Sequence, residues 1–379
     1  MVSPVDAAVT SSSVIGRYFA VVSVVPAALL VMYVTLLLGA GAWAGPLDPA
    51  RIGRTIDDLG LVDLAWLIAA ALVLALLIHP LKFAMTQLLE GYWGVSSVGL
   101  ALGAQATKRH HRRVTSLVDK GQEFHRLWVT QGAALWGGEQ ESRDPRASAG
   151  SGLLQQQSEA LLALAMPEAE PLMPLYYAHQ AYEKARAGYP NELHRVMPTR
   201  LGNVLRRSED VAGRQYGLDT LVIAPHLSLV AKPDHYAYVE DRQRSMDLSL
   251  TMCLVTSLAT VLTALLLLDD GWWCLISFAP FAAAYTSYLG AVAAAHSYCV
   301  AIETVTDLSR FSLYEALHVE LPASGKQEEE TASALMALLR GRRQPGLLYA
   351  TISAPPATTS ARPPSDEAAS ADGSSLPST

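Results

Sequence analysis

The chain is poor in the residues that carry chemistry. Only three of its 379 residues are cysteine, and Cys253, Cys274 and Cys299 each sit alone in an apolar run. They form no disulfide framework and no Cys-x-x-Cys metal pair. In such surroundings a cysteine is a small apolar filler, because a reactive thiolate needs an exposed, electropositive setting. Charged residues amount to 17%, below the roughly 25% of soluble domains. A net charge of −7 with no long basic face excludes a general nucleic-acid binder. His-Glu-x-x-His, Gly-x-Ser-x-Gly, a Walker loop and a dinucleotide fingerprint are all missing. His110 and His111 are adjacent in a basic helical run, a poor arrangement for a metal. These absences point away from an enzyme and imply no cofactor and no metal.

What the chain has in abundance is apolar sequence, 51% of all residues. Four stretches reach the roughly 20 apolar residues that a spanning helix needs: 18–43, 61–81, 248–268 and 272–302. The fourth exceeds a bilayer, so it must tilt or project. Pro26 and Pro280 fall inside the first and fourth stretches and predict kinks. Trp43, Trp66, Trp272 and Trp273 lie near predicted outer ends, as an aromatic belt does. "AWAG" at 42–45 resembles a signal-peptidase site, but the apolar run before it is longer than a signal peptide uses.

Orientation follows from the basic residues. Nineteen of the 28 Lys and Arg fall between Leu81 and Leu248, and none falls between the third and fourth stretches. The cluster "KRHHRR" at 108–113 is close enough to the second stretch to count under the positive-inside rule. The expected architecture is an all-α integral membrane protein of a bacterial cytoplasmic membrane, with four transmembrane helices as two hairpins, a mostly helical cytoplasmic insert and both termini cytoplasmic. The expected boundaries are a short N-terminus to 17, hairpins at 18–81 and 248–302, the insert at 82–247, a juxtamembrane helix at 303–322 and a polar tail at 323–379.

Within the insert, the second stretch continues as an amphipathic helix to about Tyr92, and helical spacing covers 105–136. "KRHHRR" is either an ordinary positive-inside flank or a contact to anionic headgroups. Residues 137–152 read as a Gly/Ser/Pro linker, 153–166 as a short amphipathic helix, and 167–190 as a loop rich in Pro, Met and Tyr. "TLVIAPHLSLV" at 220–230 reads as an extended run broken by Pro225, and 232–250 as a helix entering the third span. A helix follows the fourth span and stops at Pro322, another covers 326–343, and the last thirty residues have a disordered composition.

The most motif-like passage is "MPTRLGNVLRRSEDVAGRQYGLD", 197–219. Pro198 suits a first helical turn, Val204, Leu205 and Val211 form an apolar stripe, and Arg206, Arg207, Glu209, Asp210 and Arg214 solvate the other faces. Gly217 then acts as a left-handed C-cap. Gly202 is awkward inside a helix and implies close approach of another backbone. A binding reading would have Thr199, Arg200 and Asn203 hold an anion at the helix N-terminus.

Two further features concern the membrane. Ala283, Ser287, Ala291, Ala295 and Cys299 recur every fourth residue, a spacing that lets helices pack closely within the chain or between copies in a homo-oligomer. Thr256, Thr260 and Thr263 can bond to their own helix or across to the next. Asp247, His296, Glu303 and Arg310 lie near the cytosolic border and form a candidate gating or ion cluster, although surface pairing also explains them.

"PTRLGNVLRRSEDVAGRQYGLD" and "DLSRFSLYEALHVELP" together resemble bacterial, actinobacterial-type multi-pass membrane proteins, over residues 190–322. That resemblance implies a membrane location and supplies no catalytic residue. The expected role is a scaffold, sensor or interaction protein that acts through its cytoplasmic domain on a protein partner. The alternatives are an oligomeric channel or transporter, and a membrane-bound enzyme whose site lies around Arg200, Asn203 and Asp219. The expected partners are the lipid bilayer, a second copy and a protein, with no nucleic acid.

Overall fold

The computed structural model describes residues 20–42, 45, 47–136, 172–344 and 346–350. The linker at 137–152, the short helix at 153–166 and the last 29 residues of the tail fall outside them. Among the described residues the chain is almost wholly helical, with no strand and one isolated bridge between Val319 and Tyr349. A π-helical turn at Ala20–Val24 leads into α1 (Val25–Gly39). There follow α2 (Pro49–Asp57), α3 (Leu61–Glu90), α4 (Ser97–Trp136), α5 (Met173–Arg186) and α6 (Arg200–Val211). The chain continues through α7 (Thr220–Val230), α8 (Pro233–Leu266), α9 (Phe278–Ala316) and α10 (Gly325–Leu339).

Four helical segments, Ala20–Gly39, Leu61–Glu90, Pro233–Leu266 and Gly271–Ala316, are long and apolar enough to cross a membrane. They carry the four apolar stretches and mark a membrane protein. The outer face of α3 shows why: Leu61 is 87% exposed, Trp66 72% and Leu76 63%. A continuous surface of that kind is tolerated in lipid and not in water.

The prolines sit where the helical winding changes. Pro26 occupies the first turn of α1 and Pro280 the first turn of α9, which follows a 3₁₀ run at Gly271–Ser277. Each thus lies inside a continuous helical segment, Ala20–Gly39 or Gly271–Ala316, at the point where the winding changes to α. Pro80 lies deep inside α3, which continues past it to Glu90.

Small residues set the packing. α1, α3 and α8 meet where Ala27 and Ala75 are fully buried and Ala259 nearly so, flanked by Leu30, Ile78 and Val255. The Tyr33 hydroxyl reaches Thr263 Oγ1 at 2.7 Å across the same seam. Thr256, Thr260 and Thr263 donate back to the carbonyls of Met252, Thr256 and Ala259. Their hydroxyls are thus satisfied within their own helix. α8 and α9 lie along each other, and the small-residue face of α9 is covered within the chain: Ala291, Ala295 and Cys299 contact Leu201 and Val204 of α6 and Met246 and Leu250 of α8.

Two segments differ from their sequence reading. Residues 173–186 are helical, because Pro174 suits a first turn and Tyr176, His179 and Tyr182 face α4. α5 runs antiparallel to α4, with Phe124 stacked on Tyr182 and Trp128 against Tyr176. Residues 220–230 are also helical. Asp219 caps the Leu221 N–H at 3.1 Å, and Thr220, Ile223 and Leu227 are buried at helical spacing. Ile223 and Leu227 join Leu313, Tyr314, Leu335 and Met336 in one core, and that burial outweighs the loss of one ladder bond at Pro225.

Ala75→Leu puts three extra carbons into a closed seam, and such overpacking costs about 1–3 kcal/mol. The expected result is a clearly lower melting temperature in detergent, while Leu76→Ala on the exposed face shifts it little.

Candidate functional site

The closest backbone approach among the described glycines lies where α3 ends and α6 begins. α3 stops because Gly91 takes the left-handed conformation at φ 108°. α6 starts at Arg200, where Thr199 is the N-cap and its hydroxyl accepts from Gly202 N at 3.0 Å. The same hydroxyl donates to the Glu90 carbonyl at 2.8 Å, so one side chain caps one helix and closes the end of another. Gly202 is the point of contact, for a Cβ there would lie 2.0 Å from the Glu90 oxygen. A Cβ on Gly91 would lie 2.8 Å from the Pro198 ring. The close backbone approach expected at Gly202 is therefore present, and its partner is the end of α3.

Pro198 thus precedes the helix and packs on Gly91. α6 ends at Val211, and Gly213 turns left-handed before Gly217 does, so the helix is shorter than its sequence pattern implies. Asp210, read as a solvating residue, has a side chain only 1% exposed and faces Arg195 Nε at 3.0 Å and Arg214 at 3.6 Å. Arg195 and Arg206 both reach Glu209 Oε2 at 3.0 Å. Arg206 also donates to the Tyr92 hydroxyl at 2.9 Å, which ties α6 to the chain just beyond α3. Arg206 with Glu209 and Arg214 with Asp210 stand at i,i+3 and i,i+4 helical spacing, whereas Arg195 and Tyr92 lie outside α6 and no spacing rule pairs them with it.

The three candidate anion ligands do different work. Asn203 is fully buried. Its Oδ1 accepts from Met197 N at 2.8 Å, and its Nδ2 donates to Met197 O at 2.9 Å and Thr199 O at 2.6 Å. With Thr199 it organises the turn before α6. Arg200 is half-buried, and its side chain has no hydrogen-bond or ion-pair partner among the described residues. Its charge acts on His110 and Tyr189. Those two meet at 3.0 Å between His110 Nδ1 and the tyrosine hydroxyl. Burial, reinforced by the Arg113 and Arg200 charges, holds His110 below its ordinary pKa, and burial raises that of Tyr189. Arg186 holds the adjoining loop by donating to the carbonyls of Tyr189 at 3.0 Å and Pro190 at 2.9 Å.

The four residues of the candidate ion cluster are not brought together. Asp247 lies 3.4 Å from Lys82 of α3. Arg310 pairs with Glu328 of α10 at 2.8 Å and sits over the Tyr216 ring. His296 is exposed, with ring atoms 3.6 Å from where a Cβ on Gly188 would be. Glu303 is half-buried on α9. His296, Glu303 and Arg310 share a face but are seven residues apart, so about 21 Å of helix separates the first from the last. Among the described residues no three His, Cys, Asp or Glu side chains converge as a metal site. A cavity of about 450 Å³ between α6, the start of α7 and α10 is lined by Arg195, Arg214, Asp219 and Arg340. It holds ion pairs, Arg195 with Glu209 and Arg340 with Asp219, and no nucleophile beside a base.

No family model matches the chain, and no curated protein or solved structure matches it. The geometry itself must carry the reading, and what it shows is a keyed joint between the end of an apolar helix and a polar one.

Two outcomes test the joint. Gly202→Ala drives a methyl into a backbone carbonyl that cannot swing away, a loss at the upper end of overpacking, about 3 kcal/mol, seen as a fall in melting temperature. The second concerns acid. His110 is held below its ordinary value, so the unfolded chain binds its proton first and stability falls as pH drops below about 6.5. Melting curves from pH 8 to pH 5 are expected to show that loss, and His110→Gln to remove its share.

Proposed function

We propose that the chain is a multi-pass protein of a bacterial cytoplasmic membrane, in which two hairpins, α1 with α3 and α8 with α9, bracket a cytoplasmic helical insert. Its work is that of a scaffold or sensor: the cytoplasmic layer of α6, α7 and α10 engages a protein partner, and the spans position that layer.

One observation carries this reading. α6, which bears Arg200, Arg206, Arg207 and Glu209, is seated on Ala291, Ala295 and Cys299 of α9 and keyed to Glu90 at the end of α3. A helix that polar does not lie in hydrocarbon, so the fourth span ends near Gly290. Residues 272–290 are about enough to cross. The Lys82–Asp247 pair marks the same border on α3 and α8. α8 and α9 pass this border unbroken, so any tilt of the spans is delivered to the layer beyond. The same placement leaves His296 in the polar layer, and the dispersed charges of the ion cluster give a conducting pore no comparable support.

Single cysteines at Lys120 and Ser333 are expected to react with an impermeant reagent only from the cytoplasmic side, and one at Asp269 only from outside; the reverse pattern overturns the topology. A photo-crosslinker at Leu221, 63% exposed on α7, is expected to yield a protein adduct in cells that Gly202→Ala abolishes while membrane insertion persists. Ion flux through vesicles holding the purified protein would replace the scaffold reading with a channel.

A further inference from the structure

The apolar surface does not stop where α3 leaves the span. Phe83 is 73% exposed, and beyond α3 the exposed apolar residues continue through Val95 at 91%, Val98 at 66% and Leu102 at 52%. Val98 and Leu102 are four apart at the start of α4, well before the stretch around Phe124, His125 and Trp128 that packs on α5. Two to three turns beyond Leu102 stand Arg109, Arg112 and Arg113, all exposed, with Arg109 in line with Val98 and Leu102 at helical spacing. None of the three has a hydrogen bond or an ion pair with a carboxylate among the described residues. The helix therefore presents a graded surface, apolar at its start and cationic immediately after.

We infer that the first five turns of α4 lie on the bilayer and bind anionic phospholipid. Val95, Val98 and Leu102 enter the acyl boundary, and Arg109, Arg112 and Arg113 meet the phosphates of the headgroups. Three observations select lipid over a protein partner. The patch joins directly onto the lipid-facing surface of α3 through six residues, with left-handed turns at Gly91 and Gly94. The order of apolar then basic side chains matches the order of acyl chain and phosphate, as in interfacial helices. Arg200, the half-buried cation without a side-chain partner among the described residues, acts with Arg113 on His110 and adds its charge on the same side of α4 as that residue. The unmatched positive charge is thus gathered where a negative membrane surface would be.

This inference rests on the membrane placement proposed above, and the test separates the two. Full-length protein with its cysteines replaced by alanine carries one spin label, at Val98→Cys or at Leu76→Cys, in vesicles of phosphatidylcholine with or without phosphatidylglycerol. Collisions with oxygen report lipid, and collisions with an aqueous nickel chelate report water. Leu76→Cys is expected to favour oxygen in both vesicles. Val98→Cys is expected to favour oxygen when phosphatidylglycerol is present, and Arg109→Gln, Arg112→Gln and Arg113→Gln to lower its inserted share on the order of fivefold for each charge removed. An aqueous signal at Val98 with a lipid signal at Leu76 overturns this inference alone. An aqueous signal at both overturns the membrane placement. A Val98 label that meets neither reagent places the patch in a contact between copies, and also overturns the lipid reading.

Discussion

The contact between the Glu90 carbonyl and the backbone of Gly202 is the constraint on which the polar half of the molecule depends. It opposes the carbonyl end of one helix to the N–H end of another, so the negative pole of α3 meets the positive pole of α6. Thr199 strengthens that match, because its hydroxyl gives a hydrogen bond to the Glu90 carbonyl and takes one from the first turn of α6. Only a residue without a side chain brings the two backbones this close. With α6 fixed at its first turn, Leu201 and Val204 can reach the small side chains of α9, and the rest of the layer is built outward from there.

The far end of α6 is held by charge. Arg195, Arg206 and Arg214 surround Glu209 and the buried Asp210. Taking Asp210 out of water is costly, and its two arginines recover that cost only in one geometry. The network therefore fixes orientation more than it adds stability: a helix packed by leucine and valine alone could rotate, whereas one that carries Asp210 must aim it at Arg195. An apolar key at one end and an ionic one at the other give α6 a single seat.

The four helices long and apolar enough to cross a membrane were legible because length and hydropathy act over twenty residues, and no local choice overrides them. The extra helix at α5 was hidden by prolines that suit a helix start, and α7 by β-branched residues that tertiary burial makes helical. Gly202 announced a close approach, since a glycine inside a helix needs a reason, yet nothing in the chain named Glu90 as the neighbour 112 positions earlier. Asp210 was misjudged for the same reason: a charge on a helix reads as solvated until a distant Arg195 is placed against it. Periodicity reports which face is apolar, and it does not report which polar groups will find one another.

The same reasoning shows which part of the layer can move. α8 and α9 run as unbroken helices, and α6 is tied both to the end of α3 and to α9, so these elements are held to one another. Gly91 is pressed by the Pro198 ring and is not a hinge. Gly94 is different: it is left-handed at φ 78°, and a Cβ there would meet nothing within 4 Å. It stands between α3 and α4, and the other end of the α4–α5 pair returns through the loop that Arg186 and the His110–Tyr189 contact hold. The pair is thus joined to those elements by one open turn and one polar clasp. Protonation of His110 sets a positive charge in a half-buried place beside Arg113 and Arg200, so the clasp favours the neutral ring.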